Sequence, residues 1–495
     1  MSALHVATSS TMSAVWNRLE HDSSPLLWFL VVRAWSALGL ATTDMQLRFL
    51  GLCVGAGVLA SLWGAARSAG ARAPLVSLAM VGLCPSVFRI GDTIRAFGTG
   101  ALLAVLTVGT SWLLLERPSR WRIAMCAVAT LLSVHTLYYS AVLTLAVFSA
   151  AMLVALLRRS YRALASFAVI GITSAFSLLP YLETIRRVQT WSIVIKRPVT
   201  LQWLGANLAR TIGTPLMVGI WLAVAATTLA VCVRGMLRPR PTACPASSRH
   251  GRLFFLVALV LGVTGYRGFL LLLGYPTQPW YFVALLVFAA AIFDGTLALP
   301  LGASAATARI IAALSVSSLL LGQAWAASHT RHTNVDVAVA TVQSAIGPAD
   351  LLLANPWYMG LPVARVYHGP APLATVPAMD DLFTHRYDVL KAKMAEVGPI
   401  RSTYNRVEAT LRAGHRVWVI GFLADLHPGE LPPDPPPAPN SRYGWREGAY
   451  VGAWSRQLTY FLMSRALMGS VVGVPNVGRV DPHEDLRVYA FQGWR

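Results

Sequence analysis

Gly91-Asp92-Thr93-Ile94-Arg95-Ala96-Phe97-Gly98 leads into an apolar run that continues without a charge to residue 115. A hydrocarbon core about 30 Å thick takes roughly 20 apolar residues in a helix, so that run is long enough to cross a bilayer. Runs of similar size stand at about residues 47–68, 74–90, 96–115, 121–137, 138–157, 163–182, 212–233, 252–274, 280–298 and 307–328. The fold class expected is a polytopic α-helical membrane protein with about ten transmembrane helices. Composition agrees: 55% of residues are hydrophobic and 13% charged, where a soluble chain carries roughly a quarter charged.

The formal charge of +20 raises the question of a nucleic-acid partner, and its placement answers it. Residues 1–328 hold 25 Lys+Arg against 7 Asp+Glu, whereas residues 329–495 hold 16 against 14. Arginines gather in alternate loops: Arg67 and Arg72; Arg117, Arg120 and Arg122; Arg158, Arg159 and Arg162; Arg234, Arg238, Arg240, Arg249 and Arg252; and Arg309. That bias is the positive-inside signature, which makes those loops cytoplasmic and the intervening ones outward. No folded module carries a basic face, so nucleic acid is not the partner expected. All five cysteines, Cys53, Cys84, Cys126, Cys232 and Cys244, fall in spans or a cytoplasmic loop and offer no disulfide framework.

Three domains follow. Residues 1–46 form an outward N-terminal segment: the first 25 are neither signal peptide nor span, and the apolar stretch to Leu40, short and interrupted by Arg33, reads as an interfacial half-helix. Residues 47–328 are the transmembrane body. From 329 to 495 continuous apolarity gives way to short strands at 350–354, 374–377, 416–420 and 486–492, separated by helices at about 334–346, 386–395, 400–413 and 448–468, which reads as an extracytoplasmic α/β domain. Leu431 to Pro439 is a stiff, proline-rich loop. The outward loop from Tyr181 to Gln202 mixes apolar and basic residues; it suits either the membrane surface or the underside of the C-terminal domain.

The membrane half has seven acidic residues, and with Glu116 and Asp294 at cytoplasmic ends, outward chemistry is confined to Glu20, Asp22, Asp44, Asp92 and Glu183. Asp92 and Arg95, three apart at the junction of two spans, form either an ion pair or part of a site. His135, Tyr138 and Tyr139 stand at the next outward turn. Arg267 lies within the span 252–274, where an uncompensated arginine is costly and an anion is the natural partner. With Tyr275, Trp280 and Tyr281 these residues suit a cavity for a phosphate and a sugar, though tyrosine and tryptophan also populate interfacial belts. Asp92, Arg95, His135 and Arg267 are therefore expected around one outward cavity.

The order of segments also resembles a known superfamily. Glu20-His21-Asp22-Ser23-Ser24-Pro25-Leu26-Leu27-Trp28-Phe29-Leu30, then Trp35, then Asp44 to Arg48 and Gly51, is similar to a stretch of the GT-C membrane glycosyltransferases, among them protein mannosyltransferases and lipid A aminoarabinose transferases. There an acidic residue and a His-Pro-Pro-Leu-Tyr-Tyr-like run precede a Trp and a Glu…Arg…Gly helix. Pro85 to Gly98 resembles their Pro…Gln-Glu-x-Arg-x-Tyr junction, and Ser133-Val134-His135-Thr136-Leu137-Tyr138-Tyr139 their Thr-His-Tyr turn. The likeness covers roughly residues 15–235, while the family's first spanning helix and its Asp-Glu pair have no counterpart in this sequence; Asp22 stands nearest to the second acidic position.

What the resemblance implies is an inverting transfer of a sugar from a polyprenyl-phosphate donor to a glycan, lipid or protein acceptor on the outer face of the inner membrane. Asp22 or Asp92 would be the acid/base or metal-binding carboxylate, with a divalent cation as an optional cofactor. Arg95 and Arg267 would hold the phosphate, and His135, Tyr138 and Tyr139 would line the substrate. The alternative is a catalytically inactive homologue that binds polyprenyl lipid or organises envelope assembly. A transporter is disfavoured, because the spans show no inverted repeat with paired broken helices.

Overall fold

Apolar length sets the first layer. In the computed structural model, which describes residues 2–22, 24–71, 74–91, 93–237, 249–297, 302–427, 430–441 and 444–495, eight helical stretches among the described residues are long and apolar enough to cross a membrane. They are Asp44–Ser68, Phe97–Glu116, Ser140–Leu157, Tyr161–Val194, Pro215–Leu237, Arg249–Leu273, Trp280–Leu297 and Thr307–Ser328. Two of the ten expected spans are helical but shorter. The run 74–90 breaks into Val76–Gly82 and Pro85–Gly91, because Pro85 has no N–H to give and turns the residue before it away from helical geometry. The run 121–137 stops at Val134, after which His135 and Thr136 form a turn.

Burial sorts the helices into a centre and a rim. Of their apolar stretches, 78% of Phe97–Glu116 and 83% of Trp280–Leu297 lie inside the protein, against 17% of Thr307–Ser328 and 22% of Pro215–Leu237. The first two are therefore core and the last two present their side chains to lipid. Small residues let the central helices approach, as membrane packing requires. At Gly98 a Cβ would come 2.5 Å from the Gly91 carbonyl oxygen, so glycine there fixes how closely Pro85–Gly91 lies against the start of Phe97–Glu116. Arg95 consequently sits in the turn between these helices, its N–H bonded to the Thr93 carbonyl (2.7 Å), and not on a helix face.

The N-terminal segment folds as Ser2–Ala7, Met12–Arg18 and Leu26–Ala37. Arg33 does not interrupt the last of these at any cost, since its guanidinium donates to the carbonyls of Ala7 (3.1 Å) and Ser9 (2.7 Å). Beyond the spans, five strands form one sheet in the order β2-β1-β3-β5-β4: β1 Leu351–Asn355, β2 Leu373–Thr375, β3 Arg416–Gly421, β4 Ala466–Val472 and β5 Arg487–Trp494. β1 is parallel to β2 and β3, and β5 is antiparallel to β3 and β4. The helix expected over 448–468 ends at Arg465, and β4 takes over. In Met468-Gly469-Ser470-Val471-Val472 the valine pair favours an extended chain and the glycine disfavours a helix.

The C-terminal domain sits on the membrane body through mixed contacts. Asp44 pairs with Arg365 (3.0 Å) and Arg89 with Asp481 (3.2 Å). The loop after Tyr181 is the helix Leu182–Trp191 and a further turn, packed on the domain. Trp191 stacks on Tyr387 with centroids 5.6 Å apart, Val194 is buried in the domain's core, and Lys391 donates to the Thr190 carbonyl (2.5 Å).

Candidate active site

Where the two bodies meet, the charged side chains are few. Asp22 follows the short turn Leu19–His21 and is half-buried. Its Oδ1 accepts the Ser24 N–H at 3.2 Å, which fixes the carboxylate locally. Burial pushes the Asp22 carboxyl above the usual carboxylate range, and the Arg95 guanidinium and Ser24 draw it partly back.

Arg95 is the hub. Its guanidinium lies within electrostatic range of Asp22 and Tyr281 from the membrane half and of His385, Tyr387 and Glu484 from the C-terminal domain. It rests 5.9 Å from the centroid of the Trp280 ring, and among the described residues it closes no ion pair. The side chain is exposed, so a cation stands open among aromatic rings and carboxylates drawn from both bodies.

The remaining sequence candidates fall around this hub to different degrees. Tyr138 lies within electrostatic range of Asp22 and edge-on to Tyr181 (5.7 Å). His135 is placed by its neighbours: Nδ1 meets the Tyr181 hydroxyl and Nε2 the Ser177 hydroxyl, each at 3.0 Å, while its carbonyl accepts the Leu27 N–H. Both ring nitrogens are thereby occupied, which gives His135 the role of a strut beneath Leu26–Ala37. Tyr139 is buried edge-on to Tyr266 (5.7 Å), whose hydroxyl donates to the Tyr281 carbonyl. The hydroxyls of Tyr138 and Tyr139 are buried without a hydrogen-bond partner among the described residues. Arg267 is half-buried on Arg249–Leu273, and among the described residues no hydrogen bond or ion pair ties it to the Arg95 group. Asp92 lies outside the described residues. Among those that are described, no group of three or more His, Cys, Asp or Glu is placed to hold a metal ion.

Sequence reasoning missed the half of the site that comes from the C-terminal domain. Trp357 and Tyr358 follow the carboxyl end of β1, which is the edge where parallel strands of an α/β sheet present ligand-binding residues. His385 and Tyr387 stand on the segment braced by Arg386, which binds Asp388 (2.7 Å) and Asp381 (3.7 Å). Burial and the nearby Arg95 push the His385 imidazole down to about 3, so it is neutral at any working pH. Glu447 opens the helix Glu447–Arg465, and burial pushes its carboxyl up to about 7 against the pull of the Trp357 indole and the Arg197 guanidinium. The available signal was the β1–Pro356–Trp357–Tyr358 junction, an aromatic pair at a strand's carboxyl end.

Comparison with known proteins fits this architecture. No family model and no curated protein matches the chain. Among solved structures, ArnT from Cupriavidus metallidurans bound to undecaprenyl phosphate aligns over 94% of this chain and 88% of its own, with a TM-score of 0.51 and 12% identity. The apo form of the same ArnT covers 85% of this chain and 87% of its own, with a TM-score of 0.36 and 14% identity. Identity this low speaks to fold alone. The chain thus has the fold of this ArnT: a multi-pass helical membrane body carrying a C-terminal domain with a small sheet.

Proposed function

We propose that the protein is a membrane glycosyltransferase that moves a sugar from a polyprenyl-phosphate-linked donor to a cell-envelope acceptor on the outer face of the inner membrane. The observation that carries this reading is the open Arg95 guanidinium facing Asp22 at the junction of the two bodies, in a chain whose fold is that of a protein crystallised with undecaprenyl phosphate. The C-terminal domain is then extracytoplasmic, and the arginine-rich loops at the opposite end of the spans support that orientation.

In the reaction proposed, Asp22 takes the proton of an acceptor hydroxyl as its oxygen attacks the anomeric carbon. The bond from that carbon to the phosphate oxygen breaks with inversion, and polyprenyl phosphate leaves with the bonding electrons. Arg95 holds the charge that develops on the phosphate, and an arginine fits a phosphate with paired N–H donors. An elevated Asp22 pKa suits a general base, because proton transfer is most efficient near the working pH. Arg267 and, through it, the donor's phosphate belong to the same proposal, as does Asp92.

The test is made on the full chain in lipid nanodiscs. Arg95→Ala is expected to weaken undecaprenyl phosphate binding by roughly tenfold or more, the worth of a charge-assisted hydrogen bond. Asp22→Asn should leave that binding intact while slowing sugar transfer in membrane extracts by about 10²-fold or more. A wild-type chain that does not bind undecaprenyl phosphate would sink the reading. A chain that binds it and transfers nothing would instead be the inactive lipid-binding homologue.

A further inference from the structure

The helix Leu201–Ile212 ends at Gly213, and Pro215 opens the span Pro215–Leu237. Gly213 has φ +120°, a left-handed value that lets the chain turn there, and the turn leaves a groove of about 450 Å³ between the two helices. Its floor is apolar: Pro215, Val218, Gly219 and Leu222 stand three or four apart and so share one face of the span. That face looks into the bilayer, for only 22% of this span's apolar stretch lies inside the protein and Leu222 is 65% exposed. Gly219 deepens the groove, since a Cβ there would meet nothing within 4 Å.

Arg210 stands at the head of the groove and, among the described residues, is the one charged side chain that lines it. It is exposed, its guanidinium rests 5.8 Å from the centroid of the Trp203 ring, and among the described residues it closes no ion pair. Trp203 is 42% exposed, and tryptophan on a membrane protein's surface settles where hydrocarbon gives way to headgroups. An apolar groove open to the bilayer takes an acyl chain. The cation at its head then selects among lipids by charge, because a guanidinium pairs a phosphate through two N–H donors and an arginine at the edge of the hydrocarbon needs an anion beside it. A zwitterionic headgroup brings its own ammonium, which competes with Arg210 for the phosphate; an anionic one does not.

We propose that Arg210 and the groove beneath it bind an anionic phospholipid, with the lipid phosphate on the guanidinium and one acyl chain along the face from Pro215 to Leu222. The site rests on the membrane-spanning body alone and stands whether or not the chain transfers a sugar.

The experiment uses the full chain in phosphatidylcholine nanodiscs that carry a small fraction of a diazirine-tagged lipid, either phosphatidylglycerol or phosphatidylcholine with the same acyl chains. Light attaches the lipid to the protein, and mass spectrometry reads how much is attached to peptides spanning residues 203–222. Phosphatidylglycerol is expected to label that stretch roughly tenfold more than phosphatidylcholine, the worth of one charge-assisted contact. Arg210→Ala should erase the excess, and Gly219→Leu, which fills the groove where a side chain has room, should lower labelling by both lipids. Both positions are exposed, so neither change disturbs the packing of the helices. Equal labelling by the two lipids overturns the proposal, as does an excess that survives Arg210→Ala or a label that Gly219→Leu leaves unchanged. Undecaprenyl phosphate is the rival occupant: if it removes the phosphatidylglycerol label where an equal amount of untagged phosphatidylglycerol does not, the groove holds the donor's chain and the proposal falls. The donor reading itself is judged by the Arg95→Ala binding measurement and not by this label.

Discussion

Glu447 shows how a single carboxyl reports its surroundings. Its ordinary pKa is 4.5 and burial lifts it to about 7, so between those values the folded chain holds a proton that the unfolded chain has released. Stability from this group is therefore fully present below pH 4.5 and is lost as pH rises through 7. Arg197, Tyr358 and Tyr387 face the same carboxyl, and burial moves both tyrosines up, away from that interval. Glu447→Gln is predicted to match the wild-type melting midpoint near pH 4.5 and to exceed it at pH 8, by on the order of 1 kcal/mol after solvent screening. A midpoint difference that does not change with pH would refute the assignment. Asp22 and Arg95 were legible in the sequence because charges in an apolar chain are conspicuous. Glu447 was not, because its environment is built by Trp357 and Arg197, which are far away along the chain. His135 stood out in the sequence as a candidate substrate-lining residue, but its pattern could not show that Tyr181 and Ser177 occupy both its nitrogens.

Among the elements, the spans were readable from apolar length, and their failures have local causes. Pro85 splits one run, and the turn at His135 shortens another. The first three residues of β4, Ala466 to Met468, were read as the end of the preceding helix because they continue its apolar residues Leu462 and Met463, and the pairing with β5 decides for the strand. The turn that carries Arg95 depends on Gly98, where a Cβ would meet backbone at Gly91 and so finds nothing that can move cheaply. Gly98→Ala is predicted to destabilise the chain by about 1–3 kcal/mol, the usual cost of overpacking, and to weaken undecaprenyl phosphate binding with it. Thermal unfolding and lipid binding measured on one preparation check both effects, and a neutral outcome would mean that the two helices part without disturbing the turn.

For the whole molecule, the question is what keeps the C-terminal domain seated. The pairs Asp44–Arg365 and Arg89–Asp481 are partly solvated, with Asp44 70% exposed, and such ion pairs contribute about 0–1 kcal/mol. Val194, 2% exposed within the domain's core, and the Trp191–Tyr387 stack outweigh them. Arg365→Ala should thus barely alter hydrogen exchange at residues 385–388, whereas Val194→Asp, which buries an unpaired charge, should raise it and cost roughly 3 kcal/mol or more. The reverse ranking would make the seating electrostatic and sensitive to salt. A sequence read segment by segment shows two domains and leaves open whether the stretch after Tyr181 lies on the membrane surface or against the second; Trp191 on Tyr387 and Val194 in the domain's core decide for contact with the domain. The placing of Val194 has one more implication. Because a residue of an outward segment between two spans serves as a plug in the other domain's interior, the two parts behave less like tethered neighbours than like the halves of a mould, and the candidate site around Arg95 takes shape only where they close.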